Sequence, residues 1–370
     1  MIPVNEPLLN GKEKQYLVEC IDTGWISSEG PFVKRFEDEF AKKIGRKYAV
    51  SVCNGTAALD IAIESLELQK GDEVIMPTFT IISCINAIVR LGLKPVLVDS
   101  DPLTWNMDVA QIESKITPQT KAIMIVHIYG LPVDYFPIFE LATKYNLKII
   151  EDAAEAHGQK YHDKYCGNLG DISTFSFYPN KHITTGEGGM VLTDNEQLYN
   201  KLLSLRNLGF APPRRFIHHE LGYNMRLTNM QAALGLAQLE RLDEFVQRKR
   251  NMGRIYTELL QDLQDIVQLP LPQTSYAENV YWVYGIVLKD CIKMNAQEAM
   301  DKLAKKGVGT RPFFYPMHQQ PVLKQMGFFI NEAYPIAENL GERGFYLPSG
   351  LALEEKDMHI VANTLKEILR

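Results

Sequence analysis

The sequence is poor in cysteine: among its 370 residues only Cys20, Cys53, Cys84, Cys166 and Cys291 occur, scattered and without a CxxC pair. That pattern excludes a disulfide-stapled secreted scaffold and a zinc ribbon, both of which need paired spacing. No run of about 18 apolar residues is found, so no membrane-spanning helix and no membrane partner are expected. The opening MIPVNEPLLNGKEK lacks the apolar stretch of a signal peptide, which predicts a cytoplasmic location. Positive charge is not in excess: 39 Lys and Arg stand against 45 Asp and Glu, a formal net charge of −6. Nucleic-acid binders depend on a basic surface, so no nucleic-acid partner is expected. The eight histidines include neighbouring His218 and His219 but no HExxH or paired spacing, and no resident metal is expected. Repeats and low-complexity tracts are also absent.

What is present is a balanced globular composition, 46% hydrophobic and 23% charged. From about residue 50 short apolar runs alternate with helical patterns. The strand candidates are Tyr48–Val52, Glu73–Met76, Pro95–Asp99, Ala122–His127, Lys148–Asp152, Ser173–Phe177 and Met190–Thr193. Helical stretches between them include Thr56–Leu68, Ile82–Leu91 and Ile138–Tyr145. This alternation predicts an α/β fold with a largely parallel sheet, and such sheets bind ligands beyond the carboxyl ends of their strands. A long helical pattern over residues 230–265 predicts a bent connection between two domains. An aromatic strand (Val280–Val287), a helix (Ala296–Lys305) and a return strand (Val308–Phe313) are expected after it. The expected division is a large domain, 1–244, and a smaller α/β domain, 245–370, on which the N-terminal dozen residues could also pack.

Three constellations stand at successive strand ends. Asn54-Gly55-Thr56 joins a strand to a helix and could offer N–H groups and a hydroxyl to a phosphate, or serve as an ordinary turn and cap. Asp152 closes the strand LKIIED; such a carboxylate either stabilises a protonated pyridine nitrogen or caps a helix. Lys181 follows FSFYPN and precedes HITTGEGG, where a desolvated amine is suited to Schiff-base chemistry, although a lone lysine is usually a surface charge. Together they supply the anion cradle, the ring-nitrogen partner and the aldehyde-trapping amine that pyridoxal 5′-phosphate requires. Asp99-Ser100-Asp101 admits a different reading, the metal-binding DxD of a nucleotide-sugar glycosyltransferase. His127 is read either as a neighbour of the cofactor or as a satisfied strand-end histidine. A non-catalytic regulatory protein that keeps the cradle is the third alternative.

Beyond these residues, seven blocks carry a resemblance that runs nearly end to end: TGWISSEGPFVKRFEDEFA, NGTAALDIAI, KAIMIVHIYG, IIEDAAEAHG, STFSFYPNKHITTGEGGMV, LGYNMRLTNMQAALGLAQLERL and RPFFYPMH. The chain resembles the DegT/DnrJ/StrS family of nucleotide-sugar aminotransferases. The resemblance implies the PLP-dependent aspartate aminotransferase-like fold (type I), with a mostly parallel seven-stranded sheet and a smaller C-terminal α/β domain. It implies a homodimer with shared active sites and transfer of an amino group from L-glutamate to the 4-keto carbon of a nucleotide-linked 4-keto-6-deoxyhexose. GDP-4-keto-6-deoxymannose is the leading acceptor, UDP- and dTDP-linked sugars are the alternatives, and O-antigen and lipopolysaccharide biosynthesis is the implied setting.

By the same resemblance Lys181 is the amine bonded to the cofactor, Asp152 faces the pyridine nitrogen and Glu155 lies near the phenolic oxygen. Gly55, Thr56 and Ser176 match phosphate contacts, and Asn224 matches an asparagine reaching the phosphate of the neighbouring subunit. Trp25, Ser27, Arg311, Tyr315 and His318 lie in segments that border the sugar nucleotide in such enzymes. A sister branch that dehydrates its sugar replaces the lysine by histidine; here ITTGEGG sets the register at Lys181 and leaves His182 one position beyond it.

Ile81 departs from the pattern, standing where relatives carry an aromatic stacked on the cofactor ring. An aliphatic side chain packs there without the geometric preference of an aromatic pair, which predicts weaker cofactor retention. Replacing Ile81→Tyr should slow cofactor dissociation by about two- to tenfold; unchanged or faster release in a dilution assay contradicts this reading.

Overall fold

The computed structural model describes residues 1–210 and 216–370. Helices α1 (Glu13–Asp22) and α2 (Pro31–Ile44) precede the first strand. Proline at the start of α2 and Gly45 just past its end, at φ 88°, suit the two termini. The main sheet is built from β1 (Tyr48–Val52), β2 (Glu73–Pro77), β3 (Lys94–Val98), β4 (Thr120–Val126) and β5 (Lys148–Asp152), then β8 (Ile172–Ser176) and β9 (Gly189–Thr193). A small hairpin, β6 (Lys160–Tyr161) and β7 (Lys164–Tyr165), lies outside it. The order is β1-β9-β8-β5-β4-β2-β3. Every pairing is parallel except those of β9, which runs antiparallel to both neighbours. The seven-stranded, mostly parallel expectation therefore holds.

Register decides where the chemistry can sit. Val126 pairs with Asp152, and Asp152 with Thr174, so the carboxyl ends of β4, β5 and β8 are nearly level. Gly189 pairs with both Val52 and Ser176, bringing the end of β1 to the same rim. Glycine is needed there, because a Cβ on Gly189 would stand 2.4 Å from the Asn54 carbonyl oxygen. Helices α3 (Gly55–Ser65), α4 (Ile82–Arg90), α5 (Tyr135–Tyr145) and α6 (Glu196–Arg206) cover the sheet. The Asn54 side chain accepts from Ala57 N and starts α3 at the rim.

The helical pattern over 230–265 is two helices, α7 (Asn229–Leu239) and α8 (Leu242–Leu260), broken at Glu240-Arg241. Thr228 and Gln231 form a capping box at the start of α7. A second sheet, β10-β11-β13-β12, is antiparallel throughout: β10 (Val267–Gln268), β11 (Tyr284–Leu288), β12 (Arg311–Pro312) and β13 (Gly344–Leu347). Between its strands run α9 (Ala296–Lys305), α10 (Pro321–Gln325) and α11 (Pro335–Arg343), and α12 (Glu355–Leu369) closes the chain. The N-terminus joins this region, with Ile2 N donating to Gly307 O and Ser349 N to Val4 O.

Two strands are shorter than the pattern suggests. The aromatic strand starts at Tyr284 because Trp282 N donates to Tyr129 O and Tyr281 takes φ 50°, which ties 280–282 to the loop after β4. The return strand keeps only Arg311–Pro312, since Pro312 has no N–H to extend the ladder and Val308 pairs with Ile2 instead.

Packing under the rim is aromatic. Phe40 of α2 meets Phe175 and Phe177 at 4.9 and 5.4 Å between centroids, and all three are fully buried. Phe40→Ala should lower unfolding free energy by about 3–5 kcal/mol, read from urea denaturation; a loss under about 1 kcal/mol would show that this layer does not carry the sheet.

Candidate active site

A cavity of about 800 Å³ opens beyond the carboxyl ends of β1, β2, β4, β5 and β8, and Arg311, Phe314 and Tyr346 wall its far side. The strand-end rule for α/β sheets is obeyed. At one end lies a cradle. The first turn of α3 presents backbone N–H groups that have no partner inside the helix, and Thr56 Oγ1 is 2.8 Å from Ser83 Oγ. Gly55 approaches Ser176 so closely that a Cβ would meet its Cβ at 2.7 Å. Gly55, Thr56, Ser83 and Ser176 all line the cavity, a set of small hydroxyls and N–H groups suited to a phosphate.

In the middle stands Asp152, 3% exposed. Its Oδ1 accepts from Ala154 N at 3.0 Å, and its Oδ2 accepts from the Cys84 thiol at 3.2 Å. Burial, reinforced by the charge of Asp152, pushes the Cys84 pKa well up, so the thiol keeps its proton and remains the donor. Burial raises Asp152 above the usual carboxylate range, the mark of an acid that lacks a sufficient cation. A protonated pyridine nitrogen would be that cation.

Lys181 completes the centre. Its side chain is 10% exposed and its Nζ lies 3.6 Å from Glu155 Oε1. Burial lowers the lysine pKa, opposed by Glu155 and Asp152, while burial raises that of Glu155. Glu155 Oε2 also accepts from Tyr129 N at 2.8 Å. His182 does not line the cavity; it is buried with its ring 6.0 Å from that of His157. The amine, rather than the imidazole, faces the cavity.

The other expected residues divide. Ile81 lines the cavity at the start of α4 and is 42% exposed. Arg311 lines it from β12, and Asn224 lines the cavity of its own chain, whereas the resemblance implies a reach into a neighbour. Ser27 lies on a separate depression of about 530 Å³ beside Arg206 and Arg226. Trp25 and Tyr315 are about half exposed and are not brought to the cavity. His318 is not on it either: Nδ1 pairs with Thr78 Oγ1 at 2.9 Å and Nε2 with Glu338 at 2.9 Å, so it ties the end of β2 to α11.

The acids of the DxD reading are used in backbone capping. Asp99 accepts from Ser100 N, Ile336 N and Ala337 N, and Asp101 from Leu103 N and Thr104 N. Among the described residues one grouping, His127, Glu151 and Cys166, is close enough to share a metal. Glu151 instead accepts from Gly167, Leu169 and Gly170 N–H groups and pairs with His127 at 3.0 Å, while His127 Nδ1 accepts from Val133 N. His127 is a satisfied strand-end histidine.

Three contributors were not singled out from sequence: Cys84, Ser83 and Trp282. The first two sit on the cavity-facing turn of α4 and read as ordinary helix residues. The Trp282 ring lies under Lys181, with Nζ 3.8 Å from its centroid.

The family model for the DegT/DnrJ/EryC1/StrS aminotransferase family matches residues 7–366. A GDP-perosamine synthase from Escherichia coli O157:H7 is 45% identical over 366 residues, covering 99% of this chain and 98% of that protein. Among solved structures, a putative sugar aminotransferase from Streptococcus pneumoniae in its PLP-form superposes with a TM-score of 0.91 at 26% identity, covering 99% of this chain and 98% of that one. A GDP-4-keto-6-deoxymannose-3-dehydratase variant with bound GDP-perosamine superposes with a TM-score of 0.91 at 25% identity, covering 99% of this chain and all of that one. The chain belongs to the DegT/DnrJ/EryC1/StrS aminotransferase family. It is a pyridoxal phosphate-dependent enzyme, and the glycine-tight cradle, the under-compensated Asp152 and the buried Lys181 amine fit that cofactor.

Lys249, fully buried, supports the site from behind by donating to the carbonyls of Trp282 and Ser349. Burial lowers its pKa to about 7. The unfolded chain keeps that proton to roughly pH 10.4, so the penalty is full below pH 7 and is relieved as pH rises toward 10. Wild-type stability relative to Lys249→Met should therefore increase between about pH 6 and about pH 9; a difference that does not vary with pH contradicts the buried-ammonium assignment.

Proposed function

We propose that the protein transfers an amino group from L-glutamate to the 4-keto carbon of GDP-4-keto-6-deoxymannose, yielding GDP-perosamine. The observation that carries this reading is the buried Lys181 amine beside Glu155 and Asp152 at the floor of the cavity. The full-length similarity to a GDP-perosamine synthase supports the choice of sugar.

Pyridoxal phosphate, when bound, supplies the electron sink through which nitrogen passes from donor to acceptor. Gly55, Thr56 and Ser176, which line the cavity, would hold its phosphate, and Ile81 would pack on its ring. Asp152 would keep the ring nitrogen protonated, which needs the carboxylate to stay fixed; Ala154 N–H and the Cys84 thiol hold both of its oxygens. Glu155 would lie on the phenolic side, and its Oε1 forms an ion pair with Lys181 Nζ across 3.6 Å. Lys181 Nζ would take up and return the proton at the donor carbon, for which a lowered pKa is an advantage near neutral pH. Arg311, the other cation on the cavity wall among the described residues, attracts the diphosphate of the nucleotide. Ser27 in the adjoining depression and the neighbouring Trp25 extend the substrate-facing surface in a homodimer with shared active sites, while Asn224 lines the cavity of its own chain. Residues 1–244 form the cofactor domain and 245–370 the smaller one. The enzyme works in the cytoplasm, in the assembly of O-antigen sugars.

The test is a panel of GDP-, UDP- and dTDP-4-keto-6-deoxyhexoses incubated with L-glutamate and the purified enzyme. The GDP sugar should yield a 4-amino product, and Lys181→Ala should lower turnover by at least about a thousandfold. Faster turnover of a UDP or dTDP sugar, or amination at C3, overturns the substrate assignment. A Lys181→Ala variant near wild-type rate overturns the mechanism.

A further inference from the structure

Trp282 is unusual in being both deeply buried, at 4% exposure, and pinned from several directions. Its indole Nε1 donates to Asn180 O at 2.7 Å, one residue before Lys181. Its backbone N donates to Tyr129 O at 2.9 Å, and its carbonyl accepts from Lys249 Nζ at 2.7 Å. The ring is flanked by Tyr129 and Tyr346 at 5.9 and 6.2 Å between centroids. Held this way, the indole cannot turn aside, and its face carries the Lys181 ammonium at 3.8 Å.

That arrangement addresses a recurring problem in amine transfer. Whenever Lys181 is not bonded to the cofactor, its amine is free inside a poorly solvated cavity. A buried ammonium without compensation swings toward any available acid or water. We propose that the indole face of Trp282 is the seat of the Lys181 ammonium whenever that amine is not bonded to the cofactor, which makes Trp282 a positioning residue for proton transfer. The inference rests on the functional reading above only for its purpose; the seat itself is a property of the chain.

The groups facing Lys181 are few. Glu155 and Asp152 attract its positive charge, and Cys84, kept as a thiol, adds little. His157 and His182 lie behind it, both held neutral by burial, and His157 is lowered to about 3. Glu155, raised by burial to about 7, and Lys249, lowered by burial to about 7 and bonded to the Trp282 carbonyl, are present in wild type and variants alike, so the difference between midpoints reports the indole. Aromatic stabilisation of a desolvated cation is strongest for Trp and weaker for Phe. Removing the indole should therefore release the Lys181 proton at lower pH, and a phenyl ring should restore part of the difference.

The experiment is trace acetylation of the cofactor-free full chain with acetic anhydride across a pH series, with Lys181 labelling read by peptide mass spectrometry. Only the neutral amine attacks the anhydride, so the labelling midpoint reports its proton affinity. Trp282→Leu should move that midpoint down by about one pH unit, and Trp282→Phe by less in the same direction. Midpoints in both variants that coincide with wild type, or move upward, overturn the proposal. If Trp282→Leu does not fold, Trp282→Phe decides alone by the same criterion. Because no cofactor enters this measurement, its failure is separate from a failure of wild-type protein to take up pyridoxal phosphate, which would count against the proposed function.

Discussion

A single positive charge held away from water organises this molecule. Lys181 Nζ sits between a carboxylate at 3.6 Å and an indole face at 3.8 Å, at the floor of a cavity formed where two sheets meet. Burial makes the ammonium costly, which readies the amine to give up its proton; Glu155 and Asp152 keep it from being lost altogether. The surroundings serve that balance. Glu155 is anchored by Tyr129 N, Asp152 by Ala154 N and the Cys84 thiol, and Trp282 by Asn180 and Lys249.

These contacts depend on register more than on any one interaction. Gly189 lets β9 pass within reach of the Asn54 carbonyl, so the cradle at α3 and the lysine loop share one rim. Asp152 ends β5 level with Val126 of β4, while its neighbour Glu151 points to the other side and ties down the turn over 167–170 through three backbone N–H groups. The alternation of side chains along a strand thus gives successive acids two unrelated tasks. One faces the chemistry and the other holds the fold, with His127 beneath it.

Much of this was legible in the residue order. Strand ends in a parallel sheet are fixed by apolar runs, so Gly55, Asp152 and Lys181 could be placed at one rim from the residues, whereas Glu155 and Ser176 entered only through the family resemblance. What sequence could not show was which distant segment folds over that rim. Trp282 looked like one more aromatic of a strand, because the left-handed turn at Tyr281 that lifts it onto Lys181 leaves no mark on the hydrophobic pattern. His318 misled in the opposite sense: as a polar residue in a familiar segment it resembled a substrate contact, yet both ring nitrogens are occupied by Thr78 and Glu338. Whether a polar side chain is free to act depends on partners 20 and 240 residues away, which spacing does not encode.

A second lysine, Lys249, is more deeply buried than Lys181, and its pKa is also lowered by burial. Borohydride reduction of the cofactor-loaded protein followed by peptide mapping separates the two. The pyridoxyl group should be found on Lys181 alone, in the peptide containing FYPNKHITTGEGG. Recovery of the label on Lys249, or on any lysine other than Lys181, would contradict the account.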